Sequence, residues 1–150
     1  MRIALYQPDI AQNAGSLIRL GACMGVEMDI IEPCGFLFSD SRFRRAGMDY
    51  LTLSAMTRHA SWTTFLETRG AARIVLLTTK AEAPYTGFAF APDDILLLGR
   101  ESEGVPDDVH ALADARLRIP LRPGLRSINV AQAGAMVLGE ALRQTNGFPA

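Results

Sequence analysis

The stretch Ile95-Leu96-Leu97-Leu98-Gly99-Arg100-Glu101-Ser102-Glu103-Gly104-Val105-Pro106 decides the fold. A strand with one wet face alternates apolar and polar side chains, and four unbroken aliphatic residues do not. Residues 95–98 therefore read as a strand buried on both faces. Two glycines bracket the charged turn that follows, and Pro106 suits the start of a short helix over 105–112. Working outward, Ile74-Val75-Leu76-Leu77 repeats the pattern within a strand over 73–78. Further strands are expected at 2–6, 26–31, 115–119 and, weakly, 50–53. Helices are expected at 13–25, capped by Asn13, at 61–68, capped by Ser61, and at 128–143, with a helical turn at 42–46. Strands spaced by helices predict an α/β fold, a mostly parallel sheet with helices on both faces. Ligands of such sheets bind beyond the carboxyl ends of the strands, so the loops after strands are the candidate site.

The chain has 150 residues, and they read as one domain, 1–150. It is 49% apolar and 21% charged, which excludes a disordered chain. No window approaches the ~18 apolar residues of a membrane span, and the opening Met1-Arg2-Ile3-Ala4-Leu5-Tyr6 is not a signal peptide. Cys23 and Cys34 are too few for a disulfide framework and lack zinc-ligand spacing. A cytoplasmic, reduced protein is expected. His59 and His110 have no partner at ligand spacing, so no metal is expected and both read as surface or lightly buried. There is no dinucleotide-binding glycine motif and no phosphate-binding Walker loop. A hydrolase elbow fails too, because Arg100 stands where Gly-x-Ser-x-Gly needs its first glycine.

The net charge is −1, which alone argues against a nucleic-acid partner. Yet of 15 basic residues only Lys80 is a lysine. That bias has two readings: GC-rich codons, or arginine selected for bidentate phosphate contacts. The arginines also cluster. Arg42, Arg44 and Arg45 lie together near one acid, Asp40, and Arg116, Arg118, Arg122 and Arg126 fall in a stretch without any acid.

Three loops carry the remaining signal. Gln12-Asn13-Ala14-Gly15-Ser16 opens a helix whose small residues allow close backbone approach and which carries Arg19. The second loop is 98–106. The third, Ile119-Pro120-Leu121-Arg122-Pro123-Gly124-Leu125-Arg126-Ser127-Ile128-Asn129, closes on a helix start for which Ser127 is a natural cap. The helix beyond it is apolar nearly all round, so it is either deeply buried or packed on a second subunit.

In this order and spacing the loops resemble the SPOUT superfamily of RNA methyltransferases, over essentially the whole chain. Asn13-x-Gly15-x-x-x-Arg19 looks like its first motif, Gly99-x-Glu101-Ser102-x-Gly104 its second, and Ile119-Pro120 with Ser127-x-Asn129 its third. Ile3-Ala4-Leu5-Tyr6-Gln7-Pro8, Pro33-x-Gly35-Phe36, Arg42-x-Arg44-Arg45-Ala46-Gly47-x-Asp49-Tyr50 and Leu77-Thr78-Thr79-Lys80 are similar to one subgroup, the tRNA (cytidine/uridine-34) 2′-O-methyltransferases. The resemblance implies a C-terminal trefoil knot, S-adenosyl-L-methionine as methyl donor, a homodimer, and the tRNA anticodon stem-loop as substrate.

Carried over by position, Leu77, Thr78, Gly99, Glu101, Ser102, Gly104, Ile119, Leu121 and Ser127 would hold the cofactor. Arg19, Asn13, Ser127 and Asn129 would serve catalysis. Arg42, Arg44, Arg45, Arg122 and Arg126 would bind RNA. Arg19 matches the residue that some accounts of the family make the general base. A guanidinium with pKa above ~12 is a poor base near neutrality, and a cation that stabilises a developing alkoxide is the better role. The chain departs from the subgroup at Arg100 (usually Pro), at Glu103 and at Ala131 (commonly Ser). Two alternatives stay open: a 2′-O-methyltransferase of another RNA such as rRNA, and a non-catalytic knotted dimer that binds RNA.

Overall fold

The computed structural model describes residues 1–51 and 55–150, and for residues 47–51 the backbone course alone. Strands and helices alternate: β1 (Arg2–Tyr6), α1 (Ala11–Met24), β2 (Glu27–Ile31), α2 (Ser41–Leu51), β3 (Met56–His59), α3 (Trp62–Thr68), β4 (Ile74–Leu77), β5 (Ile95–Leu98), α4 (Asp107–Leu112), β6 (Ala115–Leu117) and α5 (Val130–Thr145). The strands form a sheet of order β3-β2-β1-β5-β4-β6 in which every neighbouring pair is parallel.

The unbroken apolar runs follow from burial on two faces. In β5, Leu96 and Leu98 point to the layer of α1, α2 and α5, and Ile95 and Leu97 to the layer of α3 and α4. All four are buried, each worth roughly 1.5–3 kcal/mol relative to exposure. Phe43 of α2 and Val137 and Leu138 of α5 complete the first core, and Phe65 of α3 and Val109 of α4 the second. α1 lies unusually close to β2. A Cβ on Gly21 would stand 2.9 Å from the Val26 carbonyl oxygen, so only glycine permits that approach.

β1 and β5 are neighbours from which the chain builds outward in opposite directions, through β2 to β3 and through β4 to β6. Such a switch point leaves a crevice at the carboxyl ends. The register sets Leu77, Leu98 and Leu117 level there.

Several expectations are corrected. The turn at 42–46 is part of a longer helix, α2. Of the strand expected at 50–53, residues 50 and 51 end α2, while 52 and 53 lie outside the described residues. The outer strand is instead Met56–His59. α1 begins two residues before Asn13, after Ile10, which makes no side-chain cap. Ser127 does not cap α5; Asn129 does, accepting from the amides of Ala131 at 2.8 Å and Gln132 at 3.3 Å. The α5 helix is buried along Gly134, Val137, Leu138, Ala141 and Leu142 and exposed on its other side. The helix of 61–68 forms as expected, with Ser61 and Thr64 bonding each other's backbone amides.

Candidate functional site

A cavity of about 820 Å3 opens over the carboxyl ends of β4, β5 and β6. That volume falls within the ~300–1,000 Å3 of small-molecule sites. Its floor is apolar, from Leu77, Leu98, Leu117 and Ile119. One wall is the 99–104 loop and the other the 121–129 loop. Leu77, Thr78, Gly99, Glu101, Ser102, Gly104, Ile119, Leu121 and Ser127 all line it, as do Asn13, Asn129, Arg122 and Arg126.

Backbone bonds shape the first wall. The Arg100 amide donates to the Gly104 carbonyl at 3.1 Å, and the Gly104 amide to the Arg100 carbonyl at 2.8 Å. Gly104 has φ +69°, a left-handed conformation that favours glycine. A Cβ on Gly99 would lie 2.8 Å from the Gly104 carbonyl carbon. The loop closes this tightly because both ends are glycine.

The second wall is tied to α1 by an amide pair. Asn129 Nδ2 donates to Asn13 Oδ1 at 2.9 Å, and Asn13 is 9% exposed. Asn13 thus turns toward α5 instead of capping its own helix. Asn13 and Glu101 both line the cavity, so all three loops meet there.

A family model described as the SpoU rRNA Methylase family matches residues 1–139. The chain belongs to this family. It is similar, at 65% identity over 97% of this chain and 92% of the other, to a tRNA (cytidine(34)-2′-O)-methyltransferase of Beijerinckia indica. A solved structure giving insight into the 2-OH methylation of C/U34 on tRNA superposes with a TM-score of 0.90 at 39% identity, over 95% of this chain and 94% of that one. An AdoMet-bound rRNA methyltransferase from Sinorhizobium meliloti superposes with a TM-score of 0.85 at 25% identity, over 95% of this chain and 55% of that one.

In this SpoU-family chain the nominated arginines part company. Arg122 and Arg126 are exposed on the cavity rim, beside the exposed Lys80. Arg19 is exposed on α1 and is not part of the cavity lining; it lies six residues, or about 9 Å of helix rise, from Asn13. Arg42, Arg44 and Arg45 are exposed on α2, away from the cavity, and Arg42 is held bidentately by Asp40 at 3.2 and 2.9 Å. That grip keeps the half-buried Asp40 carboxyl down at about 2. Arg116 donates to the carbonyls of His110 and Ala111, and Arg118 to that of Glu82.

One histidine differs from expectation. His59 is 5% exposed, with Nε2 2.7 Å from Asp29 Oδ1, and Arg2 stands 3.2 Å from the other Asp29 oxygen. His110 is half-buried and lines the cavity. Among the described residues no group of three or more His, Cys, Asp or Glu side chains could hold a metal, and no helix is long and apolar enough to cross a membrane. A shallower groove of about 460 Å3 runs between α1 and α5, lined by Asn13, Ser16, Leu20, Ala131, Gln132 and Ala135, with Asn129 at its edge.

Sequence reasoning missed one participant, Asp9. Its amide donates to Glu101 Oε2 at 3.1 Å, its Oδ1 accepts from the Glu101 amide at 3.0 Å, and its Oδ2 accepts from the Ser102 hydroxyl. A side-chain hydrogen bond from Glu101 holds the Asp9 carboxyl down at about 2, while burial and Asp9 itself push Glu101 up. No periodicity or motif links positions 92 apart.

Proposed function

We propose that this SpoU-family chain transfers a methyl group from S-adenosyl-L-methionine to the ribose 2′-OH of the wobble nucleotide 34, a cytidine or modified uridine, of tRNA. It does so as a single domain over residues 1–150, in a cytoplasmic homodimer. The observation that carries the reading is the meeting of the three motif loops around one cavity. The activities for which its relatives are named agree with it.

The cavity fits the methyl donor. Its volume, apolar floor and glycine-built wall, where a Cβ at Gly99 has no room, suit an adenosine moiety read largely by backbone groups. Leu77, Gly99, Ile119, Leu121 and Ser127 would hold it, with Thr78 and the 101–104 turn at the edges. Bound there, it supplies a methyl group already activated on a sulfonium. The protein's work is then alignment, which contributes up to ~7–11 kcal/mol in ideal cases. Asn13 and Asn129 hold the first and third loops in register. Arg19 binds the target phosphate and stabilises the alkoxide as the 2′-OH loses its proton to that phosphate or to water. Arg122 and Arg126, with Arg44 and Arg45 of the other subunit, receive the anticodon stem-loop backbone.

The dimer reading rests on the α1–α5 groove with its small side chains and on Met136, 45% exposed beside it. Pairing across that groove would bring Arg19 to a seam between two cavities. The trefoil knot is supported by the path of the chain. The segment 78–85 is bonded to β6 and Arg118 through the Thr78 and Tyr85 amides, and α5 then returns to pack Gly134 against Leu17 and Leu98.

The test is mass spectrometry of nucleosides from tRNA incubated with labelled S-adenosylmethionine. Label at the 2′-O of nucleotide 34 is expected. Label confined to rRNA would replace this reading with the rRNA one, and cofactor binding without RNA labelling would favour a binding dimer. Light scattering that finds a monomer at micromolar concentration would remove the dimer.

A further inference from the structure

We infer that Asp9 is a positioning residue of the methyl-donor site, acting through Glu101 to clamp the 99–104 loop against the start of α1. This deepens the proposed function and rests on its assignment of the cavity to S-adenosylmethionine.

The geometry is reciprocal. Each acid's backbone amide donates to the other's side chain, at 3.1 and 3.0 Å, and the Ser102 hydroxyl takes the remaining Asp9 oxygen. Two bonds to the Asp9 carboxylate from consecutive loop residues, and a third from the Asp9 amide to the Glu101 carboxylate, fix both position and rotation of the turn. Asp9 is itself held from behind. A Cβ on Gly35 would lie 2.7 Å from Asp9 Cβ, and the Gly35 amide donates to the Pro8 carbonyl at 2.9 Å. The chain reaches this place through Gln7, a non-glycine residue with φ 43° whose amide donates to the Ile31 carbonyl at 2.8 Å. Such backbone conformations persist where the surroundings over-determine them.

A second tie stands beside the clamp: Asn129, which caps α5, donates to Asn13 at 2.9 Å. The pairs Asp9–Glu101 and Asn13–Asn129 thereby hold both cavity walls near the start of α1. Asp9 does not line the cavity, so its effect on a ligand must pass through the loop.

Calorimetric titration with S-adenosylmethionine tests the clamp without RNA. Asp9→Ala is expected to raise the dissociation constant about tenfold, the worth of one or two charge-assisted hydrogen bonds. Asp9→Asn keeps an acceptor for the Glu101 amide and is expected to recover most of the affinity. Amide hydrogen exchange at Glu101 is expected to speed about tenfold in Asp9→Ala, a readout that needs no ligand.

Unchanged affinity and exchange in a folded Asp9→Ala protein would overturn the inference. Wild-type protein that binds the cofactor but methylates no RNA would remove the proposed function while these titrations still judge the clamp.

Discussion

The two arginine clusters look equivalent as sequence and differ as structure. On α2, Arg42 is already held by Asp40, and the cluster faces solvent away from the cavity. In the stretch from 116 to 126, Arg116 and Arg118 are spent on carbonyls, and Arg122 and Arg126 stand on the cavity rim. Proximity in sequence therefore counts charges, whereas hydrogen-bond partners decide which charges can meet an RNA. Net charge hid this difference, since it is set by acids that lie elsewhere.

Arg19, in neither cluster, gives the sharpest contrast. Arg19→Ala should lower turnover by ~10²–10³ or more while cofactor affinity stays within about twofold, as checked by single-turnover kinetics and calorimetry. An unchanged rate would remove it from catalysis. Next, Arg122→Ala with Arg126→Ala should weaken tRNA binding about tenfold and lower the slope of log affinity against log salt by about 2, as followed by filter binding. An equal loss from Arg42→Ala would erase the distinction drawn above. Arg116→Ala should leave tRNA binding alone and cost about 1–3 kcal/mol of stability in denaturant unfolding, because two carbonyl partners are lost.

Arg42→Ala should change tRNA affinity about threefold at most, and Asp40→Asn should raise it slightly by releasing the guanidinium. Acid should not mimic that release above about pH 3. The Asp40 carboxyl is lowered from 3.8 to about 2, so its pairing is intact above the unfolded value and is lost only as pH falls toward 2. Tm measured from pH 5 to 2 should show wild type and Asp40→Asn converging in that window, as the wild-type pairing is lost.

The central strands were legible because burial on both faces writes an unbroken apolar run, as at 74–77 and 95–98. β3 was not, because Met56-Thr57-Arg58-His59 is an edge strand with Thr57 and Arg58 exposed, so no such run is required. Local capping rules misplaced two side chains. Asn13 and Ser127 are good cap formers, but Asn13 is engaged by a partner 116 residues away, and Asn129 competes for the α5 cap from two residues on. The motif loops of the site were readable as short patterns. Asp9 was not, since its role exists only once β1 and β5 lie side by side and their following loops touch.

Lys80, exposed at the cavity mouth, is the chain's sole lysine. Apart from the N-terminal amine, it is the one primary amine available to an acylating reagent. A single chemical label would therefore land beside the cavity, and a fluorophore placed there would report ligand entry without any engineered cysteine.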